Sequence, residues 1–243
     1  MAKEKNVGKF NQDVLSHGGY VYTSQGRLSS RLANQRLTDA IRELCPLKGK
    51  NLADLGCGDG TYTFELWRQG PRSLLGIDGS KNAVLGAKKK AAALGLKKIR
   101  FQTMDIYDSG KLKGRFDVAI VRGLLHHLYD PKKAVKALSQ TAGVIVVAEP
   151  NGYNPVLKLL ERFSRYHIEH EEKSYFSSTW DAWFAEAGGQ VTEGGYRGLV
   201  PFFCPDWMAQ ILKFIEPVIE RTPLLNRLMC AVYVFRVEMP AKR

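Results

Sequence analysis

Residues 51–60 read Asn51-Leu52-Ala53-Asp54-Leu55-Gly56-Cys57-Gly58-Asp59-Gly60, and the fold is decided here. A short apolar run carries Asp54 near its end and breaks at once into alternating glycines. A chain does this where a buried strand turns tightly into a helix while its backbone touches a ligand. Glycine in such a place costs conformational entropy, and it is kept where φ is positive or where no Cβ fits. The spacing is Gly-x-Gly-x-Gly, whereas dinucleotide sites use Gly-x-Gly-x-x-Gly and hold a pyrophosphate at the helix N-terminus. Asp54, two residues before Gly56, would repel a phosphate and attract a cation.

Outward from this loop, Ser73-Leu74-Leu75-Gly76-Ile77 is a second apolar run that ends on Asp78. That is about 20 residues beyond the glycines, the distance at which folds of this kind place an acid on ribose hydroxyls. A ribose, a positive centre and no phosphate describe S-adenosyl-L-methionine. Asp54-Leu55-Gly56-Cys57-Gly58-Asp59-Gly60 and Gly76-Ile77-Asp78-Gly79-Ser80 resemble the first two motifs of the class I, Rossmann-like S-adenosylmethionine-dependent methyltransferases. Met104-Asp105-Ile106 resembles their adenine-contacting turn. Phe116-Asp117-Val118-Ala119-Ile120-Val121, followed by Leu125-His126-His127-Leu128-Tyr129-Asp130-Pro131, resembles the fourth strand and loop of the small-molecule type. The motifs stand in the family's order across residues 50–150.

The pattern along the chain agrees with this resemblance. Strands are expected at 51–55, 73–77, 99–103, 116–121 and 143–148, with helices near 61–69, 81–94 and 131–140. Such alternation marks a parallel sheet covered on both faces. Val144-Ile145-Val146-Val147-Ala148 is the continuous apolar run of a central strand. Leu28, Leu32, Leu37, Ala40, Ile41 and Leu44 space an amphipathic helix ahead of the first strand. After Glu149-Pro150-Asn151-Gly152-Tyr153-Asn154-Pro155 come a polar helical stretch to residue 172 and a helix over 178–187 closed by Gly188-Gly189. Strands at 190–197 and 231–238 complete the antiparallel pair that the resemblance implies. The fold class is therefore α/β: a three-layer Rossmann-like sheet of about seven strands, mostly parallel with an antiparallel last strand. Residues 1–46 read as an N-terminal cap region and 47–243 as the methyltransferase domain, with 150–176 and 201–229 as substrate-side lid insertions.

Composition sets the outer bounds. With 44% hydrophobic and 25% charged residues in 243, the chain resembles an ordinary soluble domain with ample core. No apolar run approaches the roughly 20 residues of a bilayer span, and Met1-Ala2-Lys3-Glu4-Lys5-Asn6 lacks a signal-peptide pattern. The expected location is the cytoplasm, with peripheral membrane contact as an open alternative. The four cysteines include no Cys-x-x-Cys pair. The formal charge of +12 gathers in Lys88-Lys89-Lys90, Lys97-Lys98, Lys111/Lys113/Arg115 and Lys132-Lys133. These positions describe a solvated basic face, or a surface for an acidic partner.

The resemblance implies residue roles. Asp78 would accept from both ribose hydroxyls, with Gly79 and Ser80 beside it. Gly56, Cys57, Gly58 and Gly60 would follow the methionine part with their backbone. Asp54 would meet the methionine ammonium or hold the glycine loop. Asp105 and Ile106 would contact adenine, and Arg122-Gly123 the methionine moiety, although many relatives carry a small residue in place of Arg122. His127 and His126 follow the fourth strand beside the transferred methyl. An imidazole titrating near pH 6.5 can take a proton from an acceptor hydroxyl or amine, and a structural task for at least one of the two is equally consistent.

Four further groups read toward the substrate. Tyr153 and Asn154 lie past the end of a central strand, where open α/β sheets bind ligands. His167 and His170 in His167-Ile168-Glu169-His170-Glu171-Glu172 lie at i, i+3; they suit a solvated helix or a wall over the site, and without a third ligand no metal site is read. Tyr20 and Tyr22 precede the core, and an N-terminal helix commonly covers the cofactor in the resembled family. Phe202, Phe203, Trp207, Met208, Ile211, Leu212, Ile215, Val218 and Ile219 form an apolar stretch that packs a lid, meets a membrane or lipid-linked substrate, or joins protomers.

The expected activity is methyl transfer to oxygen or nitrogen of a small-molecule or lipid- or glycan-linked acceptor. Nucleic-acid methylation is set lower, because Val121-Arg122-Gly123-Leu124-Leu125 lacks the Asn/Asp-Pro-Pro-aromatic motif of enzymes that methylate exocyclic base amines. A non-catalytic S-adenosylmethionine-binding scaffold is the third reading, opposed by the intact Asp54, glycines and Asp78.

Overall fold

The computed structural model describes residues 26–112, 116–164 and 173–240. Seven strands form one sheet: β1 (Asn51–Leu55), β2 (Ser73–Asp78), β3 (Ile99–Thr103), β4 (Phe116–Arg122), β5 (Ala142–Pro150), β6 (Gln190–Arg197) and β7 (Val232–Glu238). Their order is β3-β2-β1-β4-β5-β7-β6. β1 through β5 are parallel, and β7 runs antiparallel to both β5 and β6. The order reverses between β1 and β4, which opens a crevice at the carboxyl ends of these strands, the usual ligand position in open α/β sheets.

The helices are α1 (Leu28–Leu44), α2 (Thr61–Trp67), α3 (Lys81–Ala93), α4 (Pro131–Leu138), α5 (Pro155–Phe163), α6 (Ser177–Glu186), α7 (Asp206–Arg221) and α8 (Pro223–Met229). Local chemistry starts several of them. Ser80 caps α3 by accepting from Ala83 N, and Asp130 caps α4 by accepting from Lys133 N with Pro131 as its first residue.

Side chains alternate across the strands, so each face of the sheet has its own core. On one face Leu55, Ile77, Val121, Ile145 and Val147 pack with Val135 and Leu138 of α4 and Trp180 and Phe184 of α6. On the other, Leu52, Leu74, Ile120 and Val146 pack with Leu37, Ile41 and Leu44 of α1 and Leu66 of α2.

Two segments differ from expectation. β5 continues to Pro150 because Glu149 and Pro150 still pair with Tyr233 and Val232 of β7. The stretch expected to be a polar helix to residue 172 contains α5, which ends at Phe163 and exposes Val156, Leu159, Leu160 and Phe163. His167, His170, Tyr20 and Tyr22 lie outside the described residues.

Candidate functional site

The glycine loop after β1 is a left-handed staircase: Gly56, Gly58 and Gly60 have φ of +84°, +53° and +79°. A Cβ on Gly56 would come within 2.8 Å of the Leu124 side chain. The loop after β1 thus interlocks with the loop after β4, and an L residue there meets both strain and a neighbour. Gly56 N and Cys57 N both donate to Ile77 O, at 2.8 and 2.9 Å, which fixes the loop on the end of β2. The Cys57 side chain packs with Val84, Ala87 and Phe101. Burial raises its thiol well above the ordinary range.

Asp78 closes this arrangement. Its Oδ2 accepts from Gly58 N at 2.9 Å and its Oδ1 from Ser80 N at 2.8 Å. One carboxylate therefore holds both loops, and two of its roughly four lone-pair sites stay open for hydroxyl donors. Burial raises the Asp78 pKa, opposed by these two backbone bonds. Asp78 O also receives Met104 N at 2.9 Å, which brings the turn after β3 alongside. In that turn Asp105 Oδ1 accepts from Tyr107 N at 3.0 Å, and Ile106 is buried.

Asp54 is buried and accepts from Thr63 Oγ1 at 2.5 Å, tying β1 to the first turn of α2. Burial is the main reason that its carboxyl is pushed up to about 6, against the Thr63 hydroxyl and the charge of Arg122. The folded chain then holds more protons than the unfolded one, so stability falls as pH climbs from about 4 to about 6. Asp54→Asn is expected to remove this fall, worth roughly 2–3 kcal/mol. Thermal denaturation of both proteins across that range checks it, and parallel curves would refute it.

The Arg122 side chain departs from the expected cofactor role. Its guanidinium donates to Thr38 Oγ1 at 2.9 Å and to Asn34 O and Oδ1 at 3.1 and 2.9 Å. The same group lies 3.7 Å from the centre of the Tyr62 ring. Arg122 thus clamps α1 and α2 to β4, since a buried guanidinium needs acceptors and a π face to offset lost hydration. The neighbouring Gly123 has φ of +60° and donates to Ala148 O at 2.8 Å.

Glu149, not singled out in the sequence, is the centre of the post-β4 loop. It is fully buried. Its Oε1 accepts from Leu124 N and Leu125 N at 2.9 and 2.8 Å, and its Oε2 from His126 N at 3.2 Å. His126 Nδ1 lies 2.7 Å from the same Oε2. Glu149 already serves as acceptor to three backbone N–H groups, which sets His126 Nδ1 as the donor to the same Oε2. The His126 and His127 rings lie 3.8 Å apart between centres.

Past β5, Asn154 is a correction. Its Oδ1 caps α5 by accepting from Val156 N and Leu157 N, and its Nδ2 donates to Met229 O and Cys230 O. Its amide joins α5 to the end of α8 and is occupied by the chain's own backbone, not by the substrate side. Asn151, also fully buried, does the same with Arg227 O and Cys230 O. Gly152 is required because a Cβ there would lie 2.4 Å from the Tyr175 backbone. Tyr153 is half-buried, with the Arg227 guanidinium 3.7 Å from its ring centre. Burial raises its pKa, but hydrogen bonds from Ser178, Arg227 and Ser177 outweigh it and leave the phenol below its ordinary value. Among the described residues, no group of three or more His, Cys, Asp or Glu side chains gathers as metal ligands.

Residues 46–192 match a family described as a methyltransferase domain. The chain belongs to that family. It is similar to the tRNA U34 carboxymethyltransferase of Helicobacter pylori strain G27, 35% identical over 121 residues that cover 47% of this chain and 45% of that protein. The match thus spans under half the length of these curated relatives. Among solved structures the chain is similar to the cyclase SpnF, with a TM-score of 0.69, 18% identity and coverage of 99% of this chain and 94% of that one. It is also similar to magnesium protoporphyrin IX methyltransferase from Synechocystis PCC 6803 with bound SAH, at TM-score 0.63, 16% identity and coverage of 89% and 90%. At these identities the likeness is one of fold, and the fold carries a cyclase as well as a methyltransferase.

Proposed function

We propose that this chain is an S-adenosyl-L-methionine-dependent methyltransferase that methylates oxygen or nitrogen of a small-molecule or lipid- or glycan-linked acceptor. The observation that carries the reading is Asp78, one carboxylate that braces the Gly58 and Ser80 backbones at the switch point and keeps acceptor capacity for a ribose diol. Bound S-adenosylmethionine supplies a methyl group on a sulfonium that departs as neutral thioether. The chain supplies alignment and dry surroundings.

In this reading the backbones of Gly56, Cys57, Gly58, Gly60 and Gly123 follow the methionine part. Gly79 and Ser80 border the ribose, and Asp105 and Ile106 the adenine. His126, oriented through Nδ1 by Glu149, holds Nε2 ready to take the proton from an acceptor hydroxyl or amine, and the tilted His127 ring lies beside it. Tyr153, with the Arg227 guanidinium over its ring, stands on the acceptor side. The described parts of the two expected lid insertions, residues 150–164 with 173–176 and residues 201–229, flank that side.

An RNA acceptor is the second reading, favoured by the 35% identity to a tRNA U34 carboxymethyltransferase and by the charge of +12. Calorimetry with S-adenosylmethionine, S-adenosylhomocysteine and NAD tests the cofactor. Micromolar binding of the first two without NAD is the expected result, and no binding of either would sink the proposal. Transfer of labelled methyl groups to a lipid extract, to small metabolites or to total tRNA then decides the acceptor. Label in tRNA alone would replace the first reading with the second.

A further inference from the structure

We propose that the exposed apolar faces of α5, α7 and α8 form a continuous surface that docks on an anionic lipid bilayer. A helix on a globular domain ordinarily turns its apolar stripe to the core, as α1 and α4 do. α5 does the reverse. Val156, Leu159, Leu160 and Phe163 follow i, i+3, i+4, i+7, are 61%, 57%, 40% and 71% exposed, and no residue of the helix is buried. On α7, Trp207, Ile211, Phe214 and Val218 recur at i, i+4, i+7 and i+11 and are 66%, 55%, 86% and 66% exposed. α8, which follows after Thr222, exposes Leu224, Leu225, Leu228 and Met229 and buries nothing.

The three helices are joined. Asn154, the cap of α5, donates to Met229 O and Cys230 O at the end of α8, and Asn151 donates to Arg227 O. Single exposed apolar side chains are normal on soluble proteins, but a contiguous field of large ones marks a binding surface.

Charge selects the partner. Of the four acids on these helices, Glu161 turns to Ser174 and Lys158, Glu216 to Leu199 N and Lys213, and Glu220 to Gly198 N and Arg36. Only Asp206 among them is exposed, whereas Arg162, Arg221 and Arg227 are all exposed. The result is an apolar face with a cationic rim on a chain of charge +12, the pattern of helices that lie in a headgroup layer. A second copy fits less well, because a two-fold contact would set the arginine rim against itself. Among the described residues no helix is long and apolar enough to cross a membrane, so the surface lies on the bilayer. The docking is independent of the methyl-transfer reading.

Vesicle co-sedimentation of the full chain tests this. The wild type is expected to sediment with phosphatidylcholine vesicles that contain phosphatidylglycerol, and less with phosphatidylcholine alone, the difference shrinking as salt rises. Replacing Phe163 and Phe214 by serine should cut partitioning by about tenfold for each. Arg162→Gln with Arg221→Gln should remove the preference for anionic lipid. These side chains are exposed, so thermal transitions and S-adenosylmethionine binding should stay unchanged. The proposal falls if the wild type remains in the supernatant with both vesicle types, or if the serine variants sediment equally well. It also falls if sedimentation velocity shows a wild-type dimer that the serine variants dissociate without any vesicle binding.

Discussion

Asp78→Ala is expected to weaken S-adenosylmethionine binding about hundredfold or more, because the carboxylate has two tasks that fail together. It would accept the ribose diol, and hydrogen bonds to a charged acceptor are worth about 1.5–3 kcal/mol each. It also holds Gly58 N and Ser80 N, so its loss frees the glycine loop whose backbone has to meet the methionine part. Asp78→Asn separates the two tasks. The amide oxygen can keep one of the N–H donors, while the NH₂ group faces the other, so an intermediate loss is expected. The variants should still fold, since burial already disfavours the charged form of Asp78 and its removal offsets part of the lost bonding. Calorimetry beside thermal denaturation checks this. Unchanged affinity in a folded Asp78→Ala protein would mean that the ribose is held elsewhere.

The legibility of the sequence follows from the range of the forces concerned. β1, β2, β4 and β5 were readable because a parallel strand covered on both faces has to be apolar along its whole length. The loop after β1 was readable because positive φ leaves little choice but glycine. Asn154 carried a local signal that points away from substrate: Asn before Pro155 is a helix cap followed by a first-turn proline, and the structure uses it so. Arg122 and Glu149 were not readable as a clamp and a hub. Arg122 finds Asn34 and Thr38 of α1, and Glu149 finds Leu124 to His126, only after the sheet sets β4 between β1 and β5. The available signal was the type of residue alone. A charge at the end of a continuous apolar strand cannot be buried without partners, and that reasoning would have marked Glu149. α5 misled through its Lys158, Glu161 and Arg162, because a mean over the helix hides an apolar stripe that faces outward.

Glu149 carries the second large effect. Glu149→Ala would leave Leu124 N, Leu125 N, His126 N and His126 Nδ1 without their acceptor in a fully buried position. Losing one partner of such a network costs about 3–5 kcal/mol, so the alanine variant should be strongly destabilised, and unfolded at ordinary temperature if the native margin is small. Glu149→Gln keeps the volume and is the informative change. Its oxygen can still receive Leu124 N and Leu125 N, but its NH₂ group then faces His126, where a donor meets a donor. The imidazole has to move its proton to Nε2, so that Nδ1 accepts, and the nitrogen offered to the acceptor loses its lone pair. Methyl transfer to the acceptor identified by labelling should fall about hundredfold, in the range by which proton transfer accelerates such steps. S-adenosylmethionine affinity should fall far less than transfer, since the glutamine oxygen still holds Leu124 N and Leu125 N of the loop that meets Gly56. Nitrogen NMR reads the tautomer directly: the proton of His126 should sit on Nδ1 in the wild type and on Nε2 in Glu149→Gln. A variant that transfers methyl groups at the wild-type rate with the tautomer inverted would make His126 a packing residue. In that case the proton of the acceptor leaves through His127, Tyr153 or solvent.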